Sequence, residues 1–442
     1  MHRAHASART YDQWRDVLRG VRLPAVVVDL AAFDRNVARF ADVLRQAGHR
    51  HTLRVATKSI RVPALIRRVL DFGAPYQGLM CYAAEEAAFL ASQCFDDLLV
   101  AYPTVQPSDL AALSQLHAAG KRIRLIADIR VQLERLSAAL AQRDHNLGAT
   151  ASLPSSASGR PAMLDEPAVA HTSVQASTRP FEVVLDVDMS WRPAGGRLHL
   201  GVRRSPLRSV DDVVELCRVA RDLPNLRIVG LMGYEAQVAG LGDRNPFKRL
   251  TNPIAGVIRR RSVQAVARLR EQLAASLVRE GITLELFNGG GTGSADYTAA
   301  EPWLTEVTVG SGFLCSHLFD YYSNVAPEPA CFFALQMTRS SDVGYVTCQG
   351  GGYIASGEPG WDKVPRPWLP AGLKLVSTEG CGEVQTPLAV PPGVSLVPGD
   401  PVLFRHAKAG ELAEHFNEYL LVDPSGSVTP TPTYRGLGKA FL

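Results

Sequence analysis

The sequence predicts an α/β protein: a (β/α)8 barrel of the TIM type followed by a C-terminal, mainly-β domain. Eight short apolar runs, at 52–57, 76–80, 97–101, 122–127, 181–187, 227–232, 283–287 and 306–309, alternate with helix-period segments. Eight such units is the count of a closed parallel barrel. From Cys331 onward the texture changes to alternating runs at 332–337, 344–348, 373–377, 401–405 and 419–422, separated by Pro/Gly-rich turns.

The elements follow in order. After a polar leader, 23–30 reads as a strand, and an amphipathic helix runs from there to about Arg45. Helical periods recur at 62–70, 83–92, 211–221 and 263–279. The strand near residue 25 precedes the first barrel strand, so residues 1–30 are expected to pack with the β domain. The barrel then occupies 31–328 and the β domain 329–442. Between the fourth and fifth barrel strands, 147–179 is rich in Ala, Ser, Thr and Pro without a sustained apolar period, and reads as a mobile insertion.

Composition excludes several classes. With 46% hydrophobic and 20% charged residues over 442 positions the chain is an ordinary globular protein. Its 47 basic and 43 acidic residues are too evenly matched to argue for nucleic acid. The run Arg259-Arg260-Arg261 reads as a solvated helix start. Seven scattered cysteines without a C-x-x-C pair favour reduced thiols. No stretch approaches the roughly 20 apolar residues of a membrane span, so a cytoplasmic location without membrane partners is expected.

Two strand ends carry the chemistry. Lys58 closes the first barrel strand, and Asn288-Gly289-Gly290-Gly291-Thr292-Gly293-Ser294 follows the seventh. A lysine and a glycine-rich anion cradle fit the two ends of pyridoxal 5'-phosphate: Lys58 as the Schiff base, and backbone N–H groups with the Thr292 and Ser294 hydroxyls on the phosphate. The loop lacks both the Lys-Ser/Thr ending of a nucleotide P-loop and the spacing of a dinucleotide fingerprint. Gly310-Ser311-Gly312 after the eighth strand completes the cradle. If the first strand runs unbroken, Arg54 shares a face with Lys58 and supplies a cation that depresses its pKa. Tyr234, beside Glu235 after the sixth strand, is either a hydrogen-bond donor to the cofactor or an aromatic wall. His406 and Lys408, at i and i+2 after the run 401–405, point the same way if that strand continues; the histidine is a metal ligand, an acid–base group or a structural residue. Glu411, Glu414 and His415 read as a solvated helix face.

These residues resemble the fold-type III pyridoxal-phosphate enzymes, in particular the D-threonine aldolase and D-serine dehydratase family of the alanine racemase superfamily. The resemblance rests on Leu23-Pro24-Ala25-Val26-Val27-Val28-Asp29-Leu30, Lys58, Gly230-Leu231-Met232-Gly233-Tyr234, the glycines 289–293, Gly310-Ser311-Gly312 and the segment ending near His406. It implies a homodimeric enzyme in which Lys58 holds the cofactor, with Tyr234, Gly290, Gly291, Thr292, Gly310 and Ser311 around it. It further implies a lyase acting on D-3-hydroxy amino acids by aldol cleavage or by dehydration. The family binds a divalent metal through a histidine and a cysteine or aspartate two residues on. His406 matches, but Lys408 stands at the second position and repels a divalent cation. No metal is therefore expected; Lys408 takes its place, fixing the substrate's 3-hydroxyl or carboxylate and acting with His406 as acid. Asp186-Val187-Asp188-Met189-Ser190-Trp191-Arg192 resembles the family's acidic strand end, with Arg192 or Arg203 as a cation near the cofactor ring. Two alternatives stand beside the lyase. One is a racemase with Tyr345 or Tyr353 as second base, and the other is a cofactor-binding protein without turnover.

Overall fold

Eight parallel strands close into a barrel: β2 (Thr52–Ala56), β3 (Tyr76–Cys81), β4 (Leu98–Val100), β5 (Ile123–Ala127), β6 (Phe181–Asp186), β7 (Leu226–Gly233), β8 (Leu286–Gly289) and β9 (Glu306–Val309). The computed structural model describes residues 9–48, 51–151, 179–250, 252–341, 343–408 and 410–441. The 147–179 segment lies mostly outside them; its first residues continue the helix Arg130–Ala151.

Strand alternation sorts side chains into two cores. Residues such as Leu53, Val55, Leu125, Val183, Leu185 and Phe287 pack outward against the helices. Inward residues form layers. At the strands' N-terminal ends lies a charged layer: Arg54 pairs with Glu306 (2.6 Å) and Asp97 (3.0 Å), and Arg124 with Asp97 (2.9 Å) and Glu182 (2.8 Å). Above it Leu99, Val184, Val229 and Leu286 make an apolar plug. The third layer opens into a cavity. Arg54 is thus engaged at the barrel's base, a layer below Ala56, and is not the cation facing Lys58 that unbroken alternation suggested.

The second body is a nine-stranded sheet made of β1 (Ala25–Asp29), β10 (Cys331–Ser341), β11 (Tyr345–Gln349), β12 (Arg366–Leu369), β13 (Lys374–Leu375), β14 (Gln385–Ala389), β15 (Pro401–Arg405), β16 (Glu418–Val422) and β17 (Val428–Pro432). Its order is β13-β14-β11-β10-β1-β16-β17, with β15 pairing β10 and β12. The early strand β1 (Ala25–Asp29) lies inside it, antiparallel to β10 (Val27 opposite Phe332) and parallel to β16 (Val27 opposite Leu420). Its three valines are fully buried, and Trp14 caps this region with an edge-on contact to Phe332 at 5.8 Å.

Two sequence expectations need correction here. Arg259 lies within the helix Asn252–Arg279 rather than at a solvated start, buried and paired with Asp243 at 2.7 Å. Glu411 and Glu414 belong to a 3-10 turn, Gly410–Glu414, and both are engaged: Glu411 with Lys408 and Ser356, Glu414 with Arg61.

Because Glu306 is the closest partner of a fully buried guanidinium, Glu306→Ala is expected to destabilise the protein by about 3–5 kcal/mol, measured by urea unfolding against the parent chain.

Candidate active site

A cavity of about 750 Å³ opens at the C-terminal ends of the barrel strands. Lys58 stands at its rim in a one-turn 3-10 helix, Thr57–Ser59, immediately after β2. Every neighbour in the turn is tied down. The Thr57 hydroxyl donates to the Met80 carbonyl (2.9 Å), and the Ser59 and Ser311 hydroxyls meet at 3.0 Å. Arg61, at φ 55°, donates through Nε to the Lys58 carbonyl (3.0 Å) and through Nη1 to Glu414 of the β domain. Gly410 presses on the same carbonyl: a Cβ there would stand 1.7 Å from the Lys58 oxygen. The lysine backbone is therefore clamped between the two bodies while its side chain is exposed to the cavity. Lys58 Nζ donates to the Tyr102 hydroxyl at 2.6 Å.

The glycine loop starts two residues later than its sequence suggests, since Asn288 and Gly289 are the last residues of β8. Its shape is held from behind by Glu235. That carboxylate accepts from the Gly290 N–H (3.2 Å), the Ser294 hydroxyl (2.6 Å) and the Thr298 hydroxyl (2.7 Å), and pairs with Arg270 at 2.5 Å. Burial acts to raise its pKa, but Arg270 and the two hydroxyls override this and hold the carboxyl below its ordinary value. The Ser294 hydroxyl and Gly290 N–H, expected on a phosphate, are thus turned toward Glu235. Thr292 Oγ accepts from the Gly312 N–H at 3.0 Å, joining the two glycine loops.

What faces the cavity is a concave floor of Gly290, Gly291, Thr292, Gly293, Gly310 and Ser311. Gly290 has φ 89°, and a Cβ on Gly293 would fall 2.3 Å from the Ala239 carbonyl oxygen. Tyr234 borders this floor; enclosure and the neighbouring Glu235 charge push its phenol up to about 12.

The opposite wall is acidic. Asp128, Asp186 and Asp188 line it beyond β5 and β6. Burial pushes the Asp186 carboxyl up to about 7, helped by the Asp128 charge, opposed by Arg204 and reinforced by Asp188. Arg192 is drawn away onto Asp188 at 2.5 Å, and Arg203 is exposed away from the cavity. Arg204 is the arginine that lines it.

The β15 expectation divides. The strand ends at Arg405, so His406 and Lys408 do not share a face. Lys408 lines the cavity. His406 is buried behind it, neither ring nitrogen makes a protein hydrogen bond, and burial with the adjacent Arg405 pulls its pKa down to about 3. Among the described residues no group of three or more His, Cys, Asp or Glu side chains is arranged around a metal position. Tyr345 is exposed on β11, and Tyr353 packs edge-on against Phe333 and Phe416; neither lines the cavity. Tyr102, Arg204, Asp128 and Lys363 line it without having been singled out in the sequence. The strand-end rule that selected Lys58 also applies to Tyr102, which follows β4 by two residues.

A closed eight-stranded parallel barrel with a lysine after its first strand, glycine loops after its seventh and eighth, and an attached β sheet give the chain an alanine-racemase-like fold. Within it the similarity is to D-threonine aldolases and their neighbours. The chain is 27% identical over 319 residues to a D-threonine aldolase of Arthrobacter sp, covering 72% of this chain and 67% of that one. It is 22% identical over 291 residues to a 3-hydroxy-D-aspartate aldolase of Paracoccus denitrificans (strain Pd 1222), covering 66% of this chain and 60% of that one. Among solved structures it superposes on D-threonine aldolase from Filomicrobium marinum with a TM-score of 0.72 (20% identity, 94% and 96% of the chains). D-threo-3-hydroxyaspartate dehydratase from Delftia sp. HT23 gives 0.67 (19%, 94% and 98%). An alanine racemase of Clostridium difficile 630 in complex with cycloserine gives 0.59 (10%, 94% and 99%). No protein-family model matches the chain.

Gly410 has no room for a side chain. Gly410→Ala is expected to cost about 1–3 kcal/mol through overpacking, read as a lowered thermal midpoint, with faster modification of Lys58 by an amine reagent as its turn loosens.

Proposed function

We propose that the protein is a pyridoxal-phosphate-dependent lyase that acts on D-3-hydroxy amino acids, by aldol cleavage or by dehydration, and works as a homodimer. The observation that carries this reading is the Lys58 amine, held on the Tyr102 hydroxyl at a cavity floored by two glycine loops whose close packing leaves no room for a Cβ. The names of the similar aldolases and dehydratase support the choice of substrate.

The residues fit the cofactor at both ends. Lys58 would hold its carbonyl carbon, and the N–H groups and hydroxyls of Thr292, Gly293 and Ser311 would hold its phosphate. When bound, the cofactor supplies an electron sink for negative charge developing at the substrate's α-carbon. Tyr102 keeps the lysine amine aimed into the cavity. With the cofactor and substrate bound, Lys58 would be the amine placed to move a proton at the substrate's α-carbon or 3-hydroxyl. Lys408 would place a positive charge at the substrate's far end. His406 is buried and its low pKa keeps it neutral, so this scheme assigns it no proton transfer.

The first test is the absorbance spectrum of the holoprotein, with and without borohydride, beside Lys58→Ala. A band near the visible edge that borohydride fixes to Lys58 is expected, and the variant should lose it. Incubation with D-threonine and D-serine then separates outcomes: glycine plus acetaldehyde for an aldolase, ammonia plus a keto acid for a dehydratase. Inversion without cleavage would make it a racemase, and unchanged amino acids would leave a binding protein.

Asp186 adds a pH dependence. Its raised pKa means that the carboxyl is neutral below about pH 7 and charged above it, beside Asp128 and Asp188. Binding of an amino-acid carboxylate should therefore weaken roughly tenfold from pH 6 to pH 8, and Asp186→Asn should flatten that dependence.

A further inference from the structure

The inward column shared by β5 and β6 changes character with height. Arg124 stands opposite Glu182 and pairs with it at 2.8 Å, and Ile126 and Val184 follow in the apolar plug. The next step, after Ala127 opposite Leu185, sets Asp128 beside Asp186 at the cavity. The first two rungs satisfy themselves and the third does not. Asp188, further along the wall, is engaged: the Ser190 N–H donates to it at 2.8 Å and Arg192 pairs with it at 2.5 Å. Among the described residues the Asp186 carboxyl has neither kind of partner, and the Ser205 hydroxyl donates to its main-chain carbonyl (2.7 Å) instead. The charges that reach it are Asp128 and Asp188 on one side of the balance and Arg204 on the other.

Its place in the ring matters as much. The strands close in the order β2 to β9, so β6 lies four strands from β2 in either direction and Asp186 stands across the mouth from Lys58. Lys58 and the two glycine loops, the anchors of the proposed cofactor, follow the contiguous strands β8, β9 and β2. A substrate joined there through its amino group extends into the other half of the ring. On that half the Tyr102 hydroxyl is taken by Lys58 and Asp188 by Arg192, which leaves Asp186 as the unengaged proton carrier.

We propose that Asp186 is the acid–base group for the substrate's 3-hydroxyl, while Lys58 serves the α-carbon. This rests on the lyase reading and divides its two proton transfers between opposite walls. In aldol cleavage the hydroxyl proton passes to the Asp186 carboxylate, and the O–H electron pair becomes the second bond of the departing aldehyde's carbonyl. The Cα–Cβ pair is taken up by the cofactor, and a proton returned to the α-carbon leaves glycine. In dehydration Lys58 takes the α-proton and the neutral Asp186 carboxyl gives its own to the hydroxyl. The C–O bond then breaks with its electrons on oxygen, water departs, and the Cα–H pair closes the Cα–Cβ double bond.

The test compares D-threonine and D-serine with β-chloro-D-alanine, whose chloride leaves without needing a proton. In the Asp186→Asn holoprotein the ratio of hydroxy-substrate turnover to β-chloro-D-alanine turnover should fall at least about a hundredfold, and Asp186→Glu should recover part of it. The unaltered chain supplies a second measurement. Since burial raises the Asp186 carboxyl to about 7, the same ratio should change roughly tenfold between pH 6 and pH 8. It should rise for cleavage, where the carboxylate is the base, and fall for dehydration, where the neutral acid is needed. A parallel loss on all three substrates, or a ratio indifferent to residue 186 or to pH, overturns the assignment and leaves the lyase standing. No turnover of any hydroxy amino acid, with or without reaction of β-chloro-D-alanine, removes the lyase reading and the assignment with it.

Discussion

The contact on which the site depends is the seating of Gly410 on the Lys58 carbonyl. A side chain at residue 410 would hold the β domain away from the barrel mouth, and with it Lys408 and Lys363. Around this contact the two bodies are laced by polar bonds. Arg61 bridges the Lys58 carbonyl and Glu414, the Tyr434 N–H donates to the Arg61 carbonyl at 2.9 Å, and the Tyr434 hydroxyl donates to Glu86 at 2.9 Å. Glu86 is buried, and burial raises its carboxyl to about 7 despite these donors. Lys58 is thus a rigid point in the backbone whose amine reaches into the cavity and is held on the Tyr102 hydroxyl.

The barrel divides its charges by height. At the base, Arg54, Arg124, Asp97, Glu182 and Glu306 neutralise one another away from solvent. An apolar layer then isolates them from the cavity. At the mouth the signs are interspersed: Asp188 pairs with Arg192, Lys408 with Glu411 and Lys363 with Asp362, and Lys58 and Arg204 line the same cavity as Asp128 and Asp186. Buried pairs at the base offset their desolvation only through close geometry, so losing one partner leaves an uncompensated charge.

Much of this was legible in the sequence. The eight barrel strands fall where their apolar runs lie, because both faces of a parallel strand are covered and the signal is continuous. β12, β14 and β17 escaped notice, since Arg366–Leu369 and Val428–Pro432 are interrupted by proline and half exposed. Lys58 and the glycine loops were found by position after strands. The expected placements of Arg54 and Ser294 rested on spacing, and the strand ended or a buried carboxylate intervened. Spacing cannot report Glu235, which lies more than fifty residues before the loop it supports.

The placement of β1 has a bearing on how the chain reaches this state. An interior strand of the C-terminal sheet is made before any of the barrel, and its partners β10 and β16 lie some three hundred and four hundred positions later. As the polypeptide emerges from the ribosome, Val26, Val27 and Val28 have no sheet to join until almost all the rest has been synthesised. The barrel, whose neighbours are mostly successive, is able to close first, and loop-closure entropy then opposes the last step. The sheet that holds Lys408 and Gly410 therefore cannot be completed around β1 until residues some four hundred positions further on have been made.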